Sequence, residues 1–445
     1  MFKGTKNIRE VISWALFDVA NSSYTTIIIT VAYTVIFSQL IVGTTAELGS
    51  TADFSRGNFF WALFLAISHF LSAVISPLIG AISDVAVGKK KMLIFSVAVC
   101  STACFLLYFV DPGMILVAGI LLVVSNLAFN LTENIISSFL PHIIEQKHIP
   151  ALSGLGWGLG YLGGLAAILL CFQITGLKYN MENYDVLRWI GPITGCFFIV
   201  FSLPTLLFLR EVKINSEQNN AESSSKFAIL KASYSQLSLT LKKLPLFKDL
   251  AWLLLSFFFF QGGLVIVISF ASLYGMQVVG ITGIWQMIFF VSLQLTACLG
   301  ALFFAWLQRL FGMLKSLNLT LVIWIATILA IGFLDEISDF LNYPNKKMLF
   351  IIMGNFAGLC IGATQSLVRS LVGVFSPPAL AGEFFGFWGF FGKLAAVFAL
   401  VSYGTLQKFL DLKSSLFFCT IFFVIGLLIN LKIDEKRGIR QTKMT

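Results

Sequence analysis

Several long apolar runs of this sequence carry polar and ionisable side chains at helical spacing, and these are the residues with chemistry to do. The first run holds Asp18, Asn21, Ser22 and Thr25 at i, i+3, i+4 and i+7, which is one helix face. The fourth holds Asn126, Asn130, Glu133, Asn134 and Ser137, again a single stripe. The tenth holds Asn355, Gly358, Gly362, Gln365 and Arg369, a face of small and polar residues ending in a cation. The eleventh begins at Glu383 and carries Lys393 nearly three turns further in, and the seventh offers Gln261 beside two glycines. A charge in a lipid-embedded helix costs about 2.5–3.5 kcal/mol at the helix centre on insertion scales, so it faces a cavity or a partner. A carboxylate that exchanges a cationic partner for water also changes its proton affinity. The candidates for solute or proton binding are therefore Asp18, Asn21, Ser22, Asn130, Glu133, Asn134, Gln261, Gln365, Arg369 and Lys393. The expected ion pair joins Arg369 to Glu133 or Asp18, with Lys393 as reserve partner. Plainer roles stand beside these: a cap or pair at the interface for Asp18, interhelical hydrogen bonds for the stripe of the fourth run, and a structural ion pair for Lys393.

The elements that position these residues are membrane spans. The chain is 58% hydrophobic and 11% charged, whereas globular chains are about 45–50% apolar and about 25% charged. A span needs about 20 mostly apolar residues. Runs of that kind fall near 11–41, 58–83, 92–110, 113–137, 153–175, 189–209, 249–274, 282–307, 316–334, 348–373, 383–407 and 414–431. The first is too long for the core of a cleaved leader. Twelve spans put both chain ends on one side. Segments on that side hold 21 of the 30 Lys and Arg, and the opposite segments hold 7. This bias predicts cytoplasmic termini. It also assigns the +9 charge to membrane-surface lysines, with no nucleic acid as partner.

A polar stretch at 210–248, with the run Asn219-Asn220-Ala221-Glu222-Ser223-Ser224-Ser225, separates six runs from six more. The division is an N-terminal bundle at 1–209, a cytoplasmic linker at 210–248, and a C-terminal bundle with tail at 249–445. The residues from Phe227 onward are either an amphipathic surface helix or plain linker. Asp84, Gly88, Lys89, Lys90 and Lys91 follow the second run, and Gln308, Arg309, Gly312 and Lys315 follow the eighth with matching spacing, about half a chain apart. Together with Glu383 the first set forms a candidate inner gate. Such repeats are common in secondary transporters. Gly156, Gly160 and Gly164 make a ridge that lets a neighbouring helix approach closely.

Other chemistries find little support. No G-x-x-x-x-G-K-[ST] is present, so nucleotide hydrolysis is not expected. His142 and His148 lie between Pro141 and Pro150, read here as a loop, at a spacing that does not converge on a metal. The seven cysteines sit in apolar runs as small hydrophobes. No cofactor and no metal are expected.

Four stretches carry a resemblance: Trp14-Ala-Leu-Phe-Asp18-Val-Ala-Asn21-Ser22; Phe139-Leu-Pro141 leading to the glycine-rich Ser153–Gly164; Gln365-Ser-Leu-Val-Arg369; and Glu383-Phe-Phe-Gly386 with Gly392-Lys393. With twelve runs and the Gly80…Asp84…Gly88-Lys89 turn, the chain resembles the major facilitator superfamily. Within it the chain resembles the vacuole effluxer family, the fungal autophagy-related vacuolar amino-acid exporters and their bacterial relatives. The turn departs from the superfamily pattern, since Val85 follows Asp84 and the glycine comes four residues after it. The resemblance implies an all-α membrane protein of twelve transmembrane helices in two six-helix half-bundles, with spans 1, 4, 7 and 10 lining a cavity. It implies a non-enzymatic secondary transporter that moves an amino acid or similar zwitterion by alternating access. The expected partners are that solute, the lipid bilayer and a coupling proton or ion, and the expected state is a monomer in a bacterial inner membrane. An exporter of drugs or other metabolites is the alternative, with an intramembrane enzyme or a channel further behind.

Overall fold

The computed structural model describes residues 7–43, 55–85, 88–176, 179–211, 244–281, 284–406 and 412–442. The linker at 210–248 and its expected surface helix fall almost entirely outside these residues. Among the described residues, twelve helices are long and apolar enough to cross a membrane. They are α1 (Ile8–Ile41), α2 (Arg56–Ser83), α3 (Lys89–Phe109), α4 (Ile115–Ile143), α5 (Gln146–Thr175) and α6 (Met181–Phe208) in the first half. In the second half they are α7 (Lys248–Ser269), α8 (Ile284–Phe311), α9 (Met313–Gly332), α10 (Lys346–Phe375), α11 (Pro378–Tyr403) and α12 (Lys413–Asn430). A short helix, α13 (Glu435–Gln441), follows.

The same five pairings build both halves. In the first half α1 packs on α5 and α6, α4 on α2 and α3, and α3 on α6. In the second, α7 packs on α11 and α12, α10 on α8 and α9, and α9 on α12. Across the middle, α2 meets α11, α5 meets α8 and α10, and α4 meets α11. Exchanging the halves maps this set onto itself, as an approximate two-fold axis requires. The outward faces keep large apolar residues such as Phe95, Phe109, Leu207, Trp306 and Val401 exposed, as a lipid solvent allows.

The repeat seen in the sequence becomes a repeated joint on the side of the chain ends. Gly88 (φ 81°) and Gly312 (φ 91°) stand at the N-caps of α3 and α9 in backbone conformations that favour glycine. The Glu211 carboxylate accepts from Lys90 N–H at 3.1 Å, and the Glu435 carboxylate accepts from Leu314 N–H at 2.9 Å. One residue earlier, Arg210 N–H donates to Glu10 in the first turn of α1 (2.9 Å), and Asp434 N–H donates to Asp249 in the first turn of α7 (2.8 Å). Each half thus uses two carboxylates to tie the exit of its last helix to the starts of its first and third helices. Anions at helix N-termini are favoured there by the helix dipole. Asp434 in turn caps α13, and the backbone N–H groups of Arg437 and Lys436 hold its carboxyl below the usual carboxylate range.

The stretch between Pro141 and Pro150 differs from the loop expected of it. Pro141 and Pro150 occupy the first turns of helical segments, and Gln146–His148 forms a turn of 3-10 helix. A first-turn proline loses no hydrogen bond that the helix would have made.

Candidate functional site

The glycine ridge of α5 receives α1. A Cβ added at Gly160 would stand 2.7 Å from Ser22 Oγ, and one at Gly164 would stand 2.7 Å from Thr26 Oγ1. At Gly156 an added Cβ would meet Asp18 Oδ2 and come 2.9 Å from Arg369 Nη2. Absent side chains on α5 therefore leave the space in which a charge pair sits. Arg369 Nη1 donates to Asp18 Oδ1 at 2.9 Å and Nη2 to Asp18 Oδ2 at 2.7 Å. Nε donates to Ser153 Oγ (3.0 Å) and Nη2 also to the Ser153 carbonyl (2.9 Å). Trp14 and Trp157 cover the guanidinium with ring centroids at 4.8 and 5.3 Å. Trp14 is itself fixed by Nε1–H donating to the Ile136 carbonyl at 2.7 Å. The side chains are 2% and 8% exposed. Asp18, Ser153 and both tryptophans belong to the first half and Arg369 to the second, so this network fastens one half to the other.

A second pair crosses between the halves. Lys393 Nζ of α11 stands 3.6 Å from Glu133 Oε2 of α4. The sequence reading left Arg369 a choice of Glu133 or Asp18 and held Lys393 in reserve. In the structure Arg369 takes Asp18, and Lys393 takes Glu133.

The stripe on α4 divides its labour. Asn126, Asn130 and Asn134 donate through Nδ2 to Ser68, Ser72 and Ser76 of α2 at 2.6, 3.1 and 2.9 Å. Each partner is 58 residues away, which makes a three-rung ladder. This is the interhelical bonding weighed as the plainer alternative for Asn130 and Asn134, yet their Oδ1 atoms have no hydrogen-bond partner. Double-mutant cycles on Asn130→Ala and Ser72→Ala should give a coupling of about 0.6 kcal/mol, and at most about 1.7, the range measured for hydrogen bonds between membrane helices. A coupling near zero in thermal unfolding would mean the ladder carries no stability.

Of the remaining candidates, Asn21 Oδ1 accepts from Thr132 Oγ1 (3.3 Å), and Gln365 Nε2 donates to Gln261 Oε1 (3.4 Å). The gate set is spread out. The Asp84 side chain lies outside the described ones. Lys89 is buried, with Nζ 3.2 Å from His142 Nε2. Lys90 contributes its backbone N–H to Glu211, Lys91 is exposed, and Glu383 is fully buried in α11. Beside Glu383 the backbones of α2 and α11 touch: an added Cβ at Gly80 would collide with the Gly382 carbonyl, and one at Gly386 would stand 2.8 Å from the Ser76 carbonyl.

The described hydrogen bonds between the halves lie toward the side of the chain ends. They include Gln146 to the Val374 carbonyl, Ser153 to the Ser366 carbonyl and Gln308 to the Pro150 carbonyl. At the other ends of α5 and α8 a cavity of about 510 Å³ opens among Leu169, Leu170, Gln173 and Met287. The bonds of Gln146, Ser153 and Gln308 close the halves on the terminal side.

The sequence reading did not single out Ser153, Trp157 or Tyr161 as partners of Arg369 and Glu133, or the four capping carboxylates. Glu211 and Glu435 had a signal: each follows its capped glycine at the same distance along the chain.

Solved transporters share this architecture. The proton:xylose symporter XylE aligns with a TM-score of 0.74 over 98% of both chains at 12% identity. The human organic anion transporter MFSD10 aligns with a TM-score of 0.72 over 95% of this chain and 99% of its own, also at 12% identity. The architecture is the major facilitator fold, and the family assignment that follows makes the chain a transporter and not an enzyme. The family model described as "Vacuole effluxer Atg22 like" matches residues 6–443, and the chain belongs to that family. An uncharacterized MFS-type transporter of Bacillus subtilis, YxiO, is 25% identical over 431 residues, covering 95% of this chain and 94% of its own. Autophagy-related protein 22-1 of Aspergillus niger is 19% identical over 476 residues, covering 91% and 76%.

Proposed function

We propose that this transporter is a secondary carrier for a small zwitterion, an amino acid or a close analogue, working by alternating access. The observation that carries this reading is the pair of ion pairs between the halves, Asp18–Arg369 and Glu133–Lys393, both inside the spans. Charges there are expensive unless paired, and pairs that join two moving bodies can be made in one state and broken in another. Asp18–Arg369 holds the terminal side closed. Breaking it accompanies opening of that side, and the freed carboxylates take up or release a coupling proton. The Lys and Arg bias places the terminal side in the cytoplasm, with the 210–248 tether there, and suits a bacterial inner membrane. The substrate class follows the resemblance to amino-acid exporters.

The test is counterflow in proteoliposomes holding purified protein, with each amino acid as unlabelled trans substrate. A carrier of this class exchanges labelled for unlabelled amino acid. Exchange of no amino acid would remove the substrate assignment, and exchange of lipophilic cations instead would favour a drug exporter.

A further inference from the structure

We infer that Glu133 and Lys393 are the two poles of the solute site, Glu133 receiving an ammonium group and Lys393 a carboxylate, while Asp18–Arg369 serves only as the lock. This rests on the zwitterion reading above and assigns its recognition chemistry.

The two ion pairs differ in kind. The Arg369 guanidinium commits four of its five N–H groups to Asp18 and Ser153 and lies against the rings of Trp14 and Trp157. At 2% exposure the side chain is closed to a solute. Lys393 and Glu133 are 3.6 Å apart, beyond the 2.7–2.9 Å of a charge-assisted hydrogen bond. Their side chains are 20% and 21% exposed, against 2% and 8% for the lock. A loose pair inside two spans, a fifth exposed on both sides, is reachable where the lock is not.

Its surroundings suit a compact polar solute with an apolar side chain. The Asn130 side chain is 1% exposed and its Oδ1 has no hydrogen-bond partner, nor has His69 Nδ1. A buried acceptor left unbonded costs about 1–3 kcal/mol, which an ammonium donor beside Glu133 would relieve. Trp157 and Tyr161 of α5 pack with ring centroids 5.8 Å apart, Trp157 also against Arg369 of the lock. A zwitterion entering here exchanges one loose pair for two close ones and brings no net charge. It also takes both members of one tie between α4 and α11, so the loaded carrier has one ion pair fewer to break before the terminal side opens. A ligand shifts a conformational equilibrium only by binding the two states differently, and this exchange supplies the difference.

The experiment uses proteoliposomes of the full chain and of Glu133→Gln and Lys393→Gln. Alanine, serine and methionine serve as competitors, each as the free amino acid, the N-acetyl derivative and the amide. Wild type should prefer the free amino acid. Glu133→Gln should lose at least tenfold in affinity for the free acid and the amide while keeping the N-acetyl form. Lys393→Gln should show the reverse, keeping the amide. Glu133→Asp and Lys393→Arg, which keep the charges, should retain the wild-type order of preference and report on folding. Equal loss of all three forms in both variants, or no loss, overturns this assignment and leaves the carrier reading standing. If wild type recognises no free amino acid, the assignment and the substrate reading fall together.

Discussion

Asp18→Asn and Arg369→Ala should each abolish accumulation of substrate while the protein still inserts in the membrane. The pair is bidentate and nearly fully buried, and Arg369 also bonds Ser153. Removing one partner of a buried pair leaves a charge uncompensated and costs about 3–5 kcal/mol. Here the cost falls on one conformation, the state closed on the terminal side. At about 1.4 kcal/mol per factor of ten, the balance between the two states should move by about two to four orders of magnitude toward opening on the terminal side. Passive exchange needs both states but no gradient, so it should suffer less than accumulation. Arg369→Lys should behave almost as Arg369→Ala, because an ammonium cannot reproduce the planar fork that meets both Asp18 oxygens and both Ser153 acceptors. Wild-type accumulation by Arg369→Ala would make the pair dispensable.

Gly80→Leu should be nearly as damaging by a purely steric route. The Gly80 Cα faces the Gly382 carbonyl so closely that any Cβ collides with it. Backbone cannot retreat as a flexible side chain can, so α2 and α11 must separate. The variant should resist closure on the terminal side, with transport lost and the Asp18–Arg369 charges untouched. Gly386→Leu, at the same crossing against the Ser76 carbonyl, should match it. A control at Gly113, where an added Cβ meets nothing within 4 Å and the φ of 88° alone is strained, should transport far better than either. Equal activity in all three would show that the crossing does not close during the cycle.

The spans and their number were legible because apolar run length is a one-dimensional signal, and the repeat because its two glycine and lysine turns share a spacing. The polar faces of α1, α4 and α10 were legible from helical spacing. The partner of Arg369 was not. Asp18 and Glu133 lie at similar depth, and the choice between them is made by α5: glycine at 156 admits Asp18 beside the guanidinium, and Ser153 accepts two further donations. Nor could spacing separate the ladder from the site. Asn130 and Asn134 share a stripe with Glu133, but their amides meet the serines of α2, a second helix whose register the sequence of α4 does not contain. The two half-bundles were expected, while the five paired contacts common to both, and the carboxylates that cap α3 and α9, needed the folded chain.

In the proposed cycle Asp18–Arg369 locks the terminal-side closure between the halves. Spin labels at Lys147→Cys and Arg309→Cys test it most directly by pulsed electron resonance distance measurement, with the exposed Cys196 replaced by serine. Both positions are exposed, at the ends of α5 and α8, where Gln308 Nε2 donates to the Pro150 carbonyl. The lock predicts a short, narrow distance distribution in the unmodified background and a longer, dominant population in Asp18→Asn. The same short distribution in both proteins would contradict it.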